Sequence, residues 1–171
     1  MNLTEILSKG NVHKGSRVVM MPAFYGHDYI GNALMELGAT GIFVDHNDEI
    51  LDRIRALFPE FEVRKGDALS FNDSGITTTV HYRPMQNYVY ETIRPNPNAE
   101  MVIPGFNKMV QNIYRLSPNF VLFSVTTDLS GKVDASIRTE EMNAMRNAGF
   151  KVIEEGKYKD RQVSRYMIST R

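Results

Sequence analysis

From Arg17 to Ala68 the chain alternates compact apolar runs with amphipathic stretches, and each apolar run leads into a turn or an acid. Arg17 to Pro22 holds VVMMP between the Gly15-Ser16 turn and Gly26, the pattern of a strand buried on both faces. From Asp28 onward, Ile30, Ala33, Leu34 and Leu37 share one helical face, and Gly38 supplies the residue that ends such a helix. Gly41 to Asp45 is a second strand. Asn47 then reads as an N-cap, with Asp48 and Glu49 in the first turn, where the helix dipole favours negative charge. Ile50, Leu51, Ile54 and Leu57 form the apolar stripe before Pro59, and Phe61 to Arg64 alternates as a third strand reaching Gly66-Asp67. Two successive strand-helix-strand crossovers predict a parallel sheet, whose ligands lie beyond the carboxyl ends of the strands.

The flanks extend this pattern. Leu3, Ile6 and Leu7 predict a short helix over Asn2 to Ser8. Ile76 to Tyr82, rich in β-branched residues after Gly75, is a fourth strand ended by Pro84. Met85 to Gly105 is irregular, with Pro95, Pro97 and Pro104 expected to break any long element, and helical spacing resumes from Phe106 to Leu116. Asn119 to Val125 is another buried strand. Ser136 to Ala148 predicts a helix capped by Thr139, with Glu140 and Glu141 in its first turn and Gly149 as its stop. Phe150 to Glu154 and Gln162 to Ser169 are the last strands, joined by a polar GKYKD turn too short for a crossover, so they must form an antiparallel hairpin. The fold class expected is α/β, a three-layer sandwich around a mostly parallel seven-stranded sheet with an antiparallel C-terminal hairpin.

At 171 residues the chain has the length of one domain, and a single domain over 1–171 is expected. Lys and Arg number 20 against 20 Asp and Glu, so no overall basic footprint marks a nucleic-acid binder, although a local basic face stays open. The absence of cysteine removes disulfides, thiolate metal sites and cysteine nucleophiles together and fits a cytoplasmic setting. No apolar run approaches the roughly 20 residues of a membrane helix, so a soluble, unexported protein is expected.

The residues with candidate chemistry gather at the predicted strand ends: Tyr25-Gly26, Asp45 and Gly66-Asp67. A carboxylate at Asp45, 19 positions after Gly26, can accept two hydrogen bonds from vicinal hydroxyls; the alternative is a solvated acid capping the next helix. His81 or Tyr82 could act as general base toward an oxygen nucleophile, or His81 could be a satisfied sheet residue. Tyr88, Tyr90, Arg83 and Arg94 could stack on a base or hold a phosphate, or serve a loop packed over the sheet or a subunit contact. His13, His27 and His46 stand singly without zinc-ligand spacing. Neither a Gly-x-x-x-x-Gly-Lys phosphate loop nor a Gly-x-Ser-x-Gly nucleophile turn is present, which leaves ATPase and hydrolase readings without support.

Over its whole length, in the order of elements and in the closing hairpin, the chain resembles the class I S-adenosylmethionine-dependent methyltransferases. Pro22-Ala23-Phe24-Tyr25-Gly26-His27-Asp28 resembles the Asp-Pro-Phe-x-Gly-Ser-Gly turn of members acting on exocyclic amines, with Met21 in place of the acid and Asp28 in place of the second glycine. Gly66-Asp67-Ala68 resembles the family's third motif. The resemblance implies S-adenosylmethionine as cofactor. Pro22, Tyr25 and Gly26 would lie by its methionine part, Asp45 with His46 at the ribose, and Asp67 with Ala68 at the adenine. Where amino-directed members carry Asp/Asn-Pro-Pro-aromatic, this chain has His81-Tyr82-Arg83-Pro84-Met85. The resemblance then implies His81 and Tyr82 as catalytic candidates, with Arg83, Pro84 and Tyr88 meeting the substrate, which could be a nucleic acid or a small molecule. Two other readings stay open: a degenerate methyltransferase domain serving as a binding or assembly module, self-association included, and an NAD-dependent enzyme using Asp45 on the adenosine ribose. The missing Gly-x-Gly-x-x-Gly and the terminal hairpin weigh against the second.

Overall fold

The computed structural model describes residues 1–23, 26–82, 99–124, 135–158 and 163–171, with backbone alone at 99–104 and 135–137. The described elements are α1 (Leu3–Lys9), β1 (Arg17–Met20), α2 (His27–Leu37), β2 (Thr40–Asp45), α3 (Asp48–Leu57), β3 (Glu62–Lys65), β4 (Thr78–Tyr82), α4 (Ala99–Leu116), β5 (Asn119–Ser124), α5 (Ala135–Ala148), β6 (Lys151–Lys157) and β7 (Arg165–Thr170). They build one seven-stranded sheet in the order β3-β2-β1-β4-β5-β7-β6. The pairs from β3 through β5 are parallel, and β7 inserts antiparallel to both β5 and β6. Strand order reverses between β1 and β4, which makes that crevice the switch point where ligands of open α/β sheets bind.

Side-chain alternation along each strand divides the core in two. Val18, Met20, Phe43, Val80, Tyr82, Val121 and Phe123 face α1, α2 and α3 through Ile6, Leu7, Ile30, Leu34, Ile50 and Ile54. Val19, Met21, Ile42, Val44, Phe120, Leu122 and Met167 face α4 and α5 through Phe106, Met109, Val110, Ile113 and Met145. Local signals set the helix ends. Asn2 and Glu5 close a capping box on α1, Asn47 caps α3, and Gly38 ends α2 in the left-handed region.

Three expectations are corrected. Pro104 does not mark the end of an irregular segment, because α4 begins at Ala99 and carries the proline in its second turn. There a missing N–H forfeits one intrahelical bond, which the buried stripe from Phe106 to Leu116 outweighs. Thr139 is not a cap: α5 starts at Ala135, its first turn holds no acid, and Glu141 lies fully buried further along. The expected turn at Gly156-Lys157 is strand, since β6 runs to Lys157 and Gly156 lies against the Tyr166 ring, where a Cβ would come within 2.7–2.9 Å.

Candidate functional site

Beyond the carboxyl ends of β1, β2 and β3, a pocket of about 520 Å³ is lined by Pro22, Val44, Asp45, His46, Lys65, Gly66, Asp67, Ala68 and Leu69. It brings together Pro22, Asp45, His46, Asp67 and Ala68 of the residues singled out in the sequence. Gly26 stands outside the lining, and Tyr25 lies outside the described residues.

The pocket is held in shape by backbone bonds between neighbouring strand ends. Ala23 N–H donates to the Val44 carbonyl (3.0 Å), and Gly66 N–H to the Asp45 carbonyl (3.0 Å). Asp45, the last residue of β2, is 2 % exposed. Its Oδ1 accepts the Asn47 N–H (3.0 Å), with the exposed His46 ring nitrogen Nδ1 at 3.6 Å, while Oδ2 is buried with no partner among the described residues. The cap of α3 is made instead by the Asn47 side chain, which accepts from Glu49 N–H (3.0 Å) and Ile50 N–H (3.4 Å). Asp45 is therefore not the solvated helix cap of the alternative reading, and it keeps an oxygen to offer a donor.

Asp67 is exposed at the opposite wall. Its Oδ1 accepts the Leu69 N–H (2.8 Å), and its carbonyl accepts from Ser70 and Phe71, so the acid shapes the turn that presents Ala68. Asn112 on α4 donates to the carbonyls of Ala68 and Phe71, each at 3.0 Å, and anchors this loop. The sequence signal for Asn112 was a polar residue between Met109 and Ile113 of the apolar stripe.

Gly26 adopts φ +73° and leads into α2. A Cβ there would lie 2.5–2.8 Å from the Tyr82 ring, so both the backbone conformation and the close approach require glycine. His81 and Tyr82, adjacent at the end of β4, project to opposite faces of the sheet, and both are buried. Tyr82 packs on Phe123 with ring centroids 5.5 Å apart, and its hydroxyl has no partner among the described residues. The His81 Nδ1–H donates to the Met21 carbonyl, which fixes the tautomer because a carbonyl only accepts. Its Nε2 has no partner among the described residues, and burial pushes its pKa down to about 4, so the ring is neutral. Arg83, Pro84 and Tyr88 lie outside the described residues.

A polar pair absent from the sequence reading lies further along this edge. Arg165, first residue of β7, donates through Nη2 to Oε1 of Glu141 on α5 at 2.5 Å, and both side chains are more than nine-tenths buried. Burial raises the Glu141 pKa to about 7, against the opposing pull of Arg165 and the Ser124 hydroxyl. Among the described residues no cluster of three His, Cys, Asp or Glu side chains is placed to hold a metal ion, and no helix is long and apolar enough to cross a membrane.

No family model matches this chain, and no curated protein matches it. Its fold nevertheless coincides with solved structures. A SAM-dependent methyltransferase from Aquifex aeolicus superposes with a TM-score of 0.68 at 11 % identity, over 96 % of this chain and 87 % of that one. A TehB-like SAM-dependent methyltransferase from Corynebacterium glutamicum gives 0.64 at 15 % identity, over 98 % and 85 %. Geranyl diphosphate C-methyltransferase from Streptomyces coelicolor, solved with Mg²⁺, geranyl diphosphate and S-adenosyl-L-homocysteine, gives 0.64 at 12 % identity, over 98 % and 78 %. The single reversal of strand order at β1 and β4, the antiparallel β7 and these superpositions over nearly the whole chain give the protein the class I S-adenosylmethionine-dependent methyltransferase fold.

Proposed function

We propose that the chain binds S-adenosylmethionine in the Asp45 pocket and transfers its methyl group to an acceptor. The observation that carries this reading is the buried, unpartnered Oδ2 of Asp45 in the pocket beyond the carboxyl ends of β1, β2 and β3. A carboxyl group so placed can accept from two vicinal ribose hydroxyls, which would remove the cost of leaving its second oxygen bare. Asp67 on the facing wall is assigned to the adenine amino group and Ala68 to the ring beside it, with His46 at the rim by the ribose. Pro22, Tyr25 and Gly26 are assigned to the methionine part. The SAM-dependent methyltransferases that share the fold, and the C-methyltransferase with S-adenosyl-L-homocysteine bound, support the choice of cofactor.

When bound, S-adenosylmethionine supplies a methyl group on a sulfonium, displaced in line by the acceptor's nucleophile to leave S-adenosylhomocysteine. The protein's part is then mainly positioning. His81, through its bond to the Met21 carbonyl, holds the turn that carries Pro22. Its neutral Nε2 is one candidate for taking a proton from the acceptor and Tyr82, only as its phenolate, the other, and lying on opposite faces they cannot serve one acceptor together. Arg83, Pro84 and Tyr88, which follow β4 in the chain, are assigned to the acceptor.

A second reading, a binding or assembly module on the same fold, draws on Met21 in place of the family's acid and on the complete burial of His81. Calorimetric titration with S-adenosylmethionine and S-adenosylhomocysteine, on the wild type and on Asp45→Ala, separates the two. The enzyme reading expects micromolar binding that the substitution weakens by roughly 1–3 kcal/mol, the loss of a buried charged acceptor. No binding of either compound would leave the module.

A further inference from the structure

Asn112 interrupts the apolar stripe by which α4 packs on the sheet. Met109, Val110, Ile113 and Leu116 around it are apolar and buried, and Asn112 is itself buried in their midst. A buried amide is costly unless it is bonded, and what bonds this one is the wall of the Asp45 pocket. Its Nδ2 donates to the carbonyls of Ala68 and Phe71, each at 3.0 Å. These are carbonyls of a surface loop, which water could satisfy as well. Their direction toward α4 therefore fixes how the loop faces the pocket, while Ala68 and Phe71 pack against the same apolar cluster.

The other hydrogen bonds of the loop are internal to it. Asp67 Oδ1 accepts the Leu69 N–H (2.8 Å), and the Asp67 carbonyl accepts from Ser70 N–H (3.1 Å) and Phe71 N–H (2.8 Å). Among the described residues, the two bonds from Asn112 are the only hydrogen bonds that join 67–71 to another segment. Bonds inside the turn keep its shape but not its place. Asp67 has Oδ1 committed to the turn, which leaves Oδ2 for a base. We infer that Asn112 is a positioning residue that gives the pocket its nucleobase selectivity, holding the wall so that Asp67 Oδ2 faces the amino group of adenine and not the ring position beside it. The inference rests on the S-adenosylmethionine reading and extends it to a residue outside the pocket lining. An oxygen that accepts from the 6-amino group meets only lone pairs on the 6-carbonyl of hypoxanthine. Hypoxanthine offers an N–H at the neighbouring ring position, N1, which a wall released from α4 could follow.

The test is calorimetric titration of the full chain with S-adenosylhomocysteine and S-inosylhomocysteine, which differ only in the 6-substituent and the N1 proton. The wild type is expected to prefer the adenine compound by about tenfold, the worth of one hydrogen bond. In Asn112→Ala the preference should fall to about twofold or less, the wall then being free to meet either base. Asn112→Met, which replaces the amide with an apolar helix former, should do the same and stands in for the alanine variant should that one not fold. A merely structural role would lower the folded fraction and scale both affinities together, so the ratio is the diagnostic. Asp45→Ala gives the contrast, weakening both compounds alike at the ribose. Equal binding of the two by the wild type, or a preference unchanged in the Asn112 variants, would overturn the role of Asn112 and leave the cofactor reading standing. Binding of neither compound by the wild type sinks the cofactor reading, and this inference with it.

Discussion

Replacing Gly26 by alanine tests the link between the first turn of the site and the end of β4. The added Cβ would fall 2.5 Å from Cδ1, 2.6 Å from Cγ and 2.8 Å from Cε1 of Tyr82. Carbon atoms in contact prefer about 3.5–4.0 Å. The ring has little room to retreat, being 2 % exposed and packed on Phe123. Holding alanine at φ +73° costs about 1–2 kcal/mol, and the overlap adds about 1–3 kcal/mol, so Gly26→Ala should destabilise the fold by about 2–5 kcal/mol. Urea unfolding of Gly26→Ala, Tyr82→Ala and the double variant divides that total. Tyr82→Ala alone leaves a cavity and costs about 3–5 kcal/mol, but in its background only the backbone part of the Gly26 penalty remains, about 1–2 kcal/mol. If Gly26→Ala lowers the midpoint equally in both backgrounds, with constant m, the ring contact carries no energy and Tyr82 does not shape the turn.

Two further predictions concern groups placed by burial and by capping. His81 is neutral in the fold with a pKa of about 4 against 6.5 unfolded, so its contribution is present above pH 6.5 and is lost as the pH falls through 4. Glu141 is shifted the other way, from 4.5 to about 7, so its contribution is complete below pH 4.5 and is lost as the pH rises through 7. The two trends oppose each other between these limits, and unfolding midpoints followed against pH in His81→Asn and Glu141→Gln should each lose one limb; curves parallel to the wild type would refute the assignments. Asn47→Ala should cost about 1 kcal/mol of stability through the lost cap on α3 yet leave S-adenosylhomocysteine affinity unchanged, because Asp45 is held by the Asn47 backbone N–H, which alanine keeps. An affinity loss as large as that of Asp45→Ala would show that the cap, and not the carboxylate, matters to binding.

What was legible in the sequence was whatever depends on neighbours a few residues away. Asn47 as cap, Gly38 as stop and the alternation that divides Val18 and Met20 from Val19 and Met21 are of this kind, and the short link before β7 forced the hairpin. The strand ends then located Pro22, Asp45, His46, Asp67 and Ala68 around one pocket, since topology alone brings those ends together. Contacts between distant segments were not legible. Glu141 had the local signature of a first-turn acid, but it is bonded to Arg165, 24 residues later at the start of β7. Likewise the glycine at position 26 suits any tight turn, and only the register of β4 reveals that the Tyr82 ring excludes a side chain there. Pro104 failed as a breaker because a local penalty at one helical turn is small beside the burial of a whole apolar stripe.

The two ends of the sheet differ in a way that burial alone does not explain. At the amino ends of the parallel strands, buried polar side chains are paired: Thr78 donates to the Gly10 carbonyl (2.7 Å), Thr79 and Ser117 share a bond (2.8 Å), Ser117 reaches the Asn119 carbonyl (3.0 Å), and Asn119 donates to the Thr77 carbonyl (2.9 Å). At the carboxyl ends Asp45, His81 and Tyr82 are buried to the same degree, yet each keeps an atom without a partner among the described residues. Each such atom costs about 1–3 kcal/mol when nothing satisfies it, and a domain's whole stability is about 5–15 kcal/mol. Among the described residues the unpartnered atoms lie at the carboxyl ends, where open α/β sheets take their ligands, so the chemistry of these side chains supports the proposed site without any likeness to another protein.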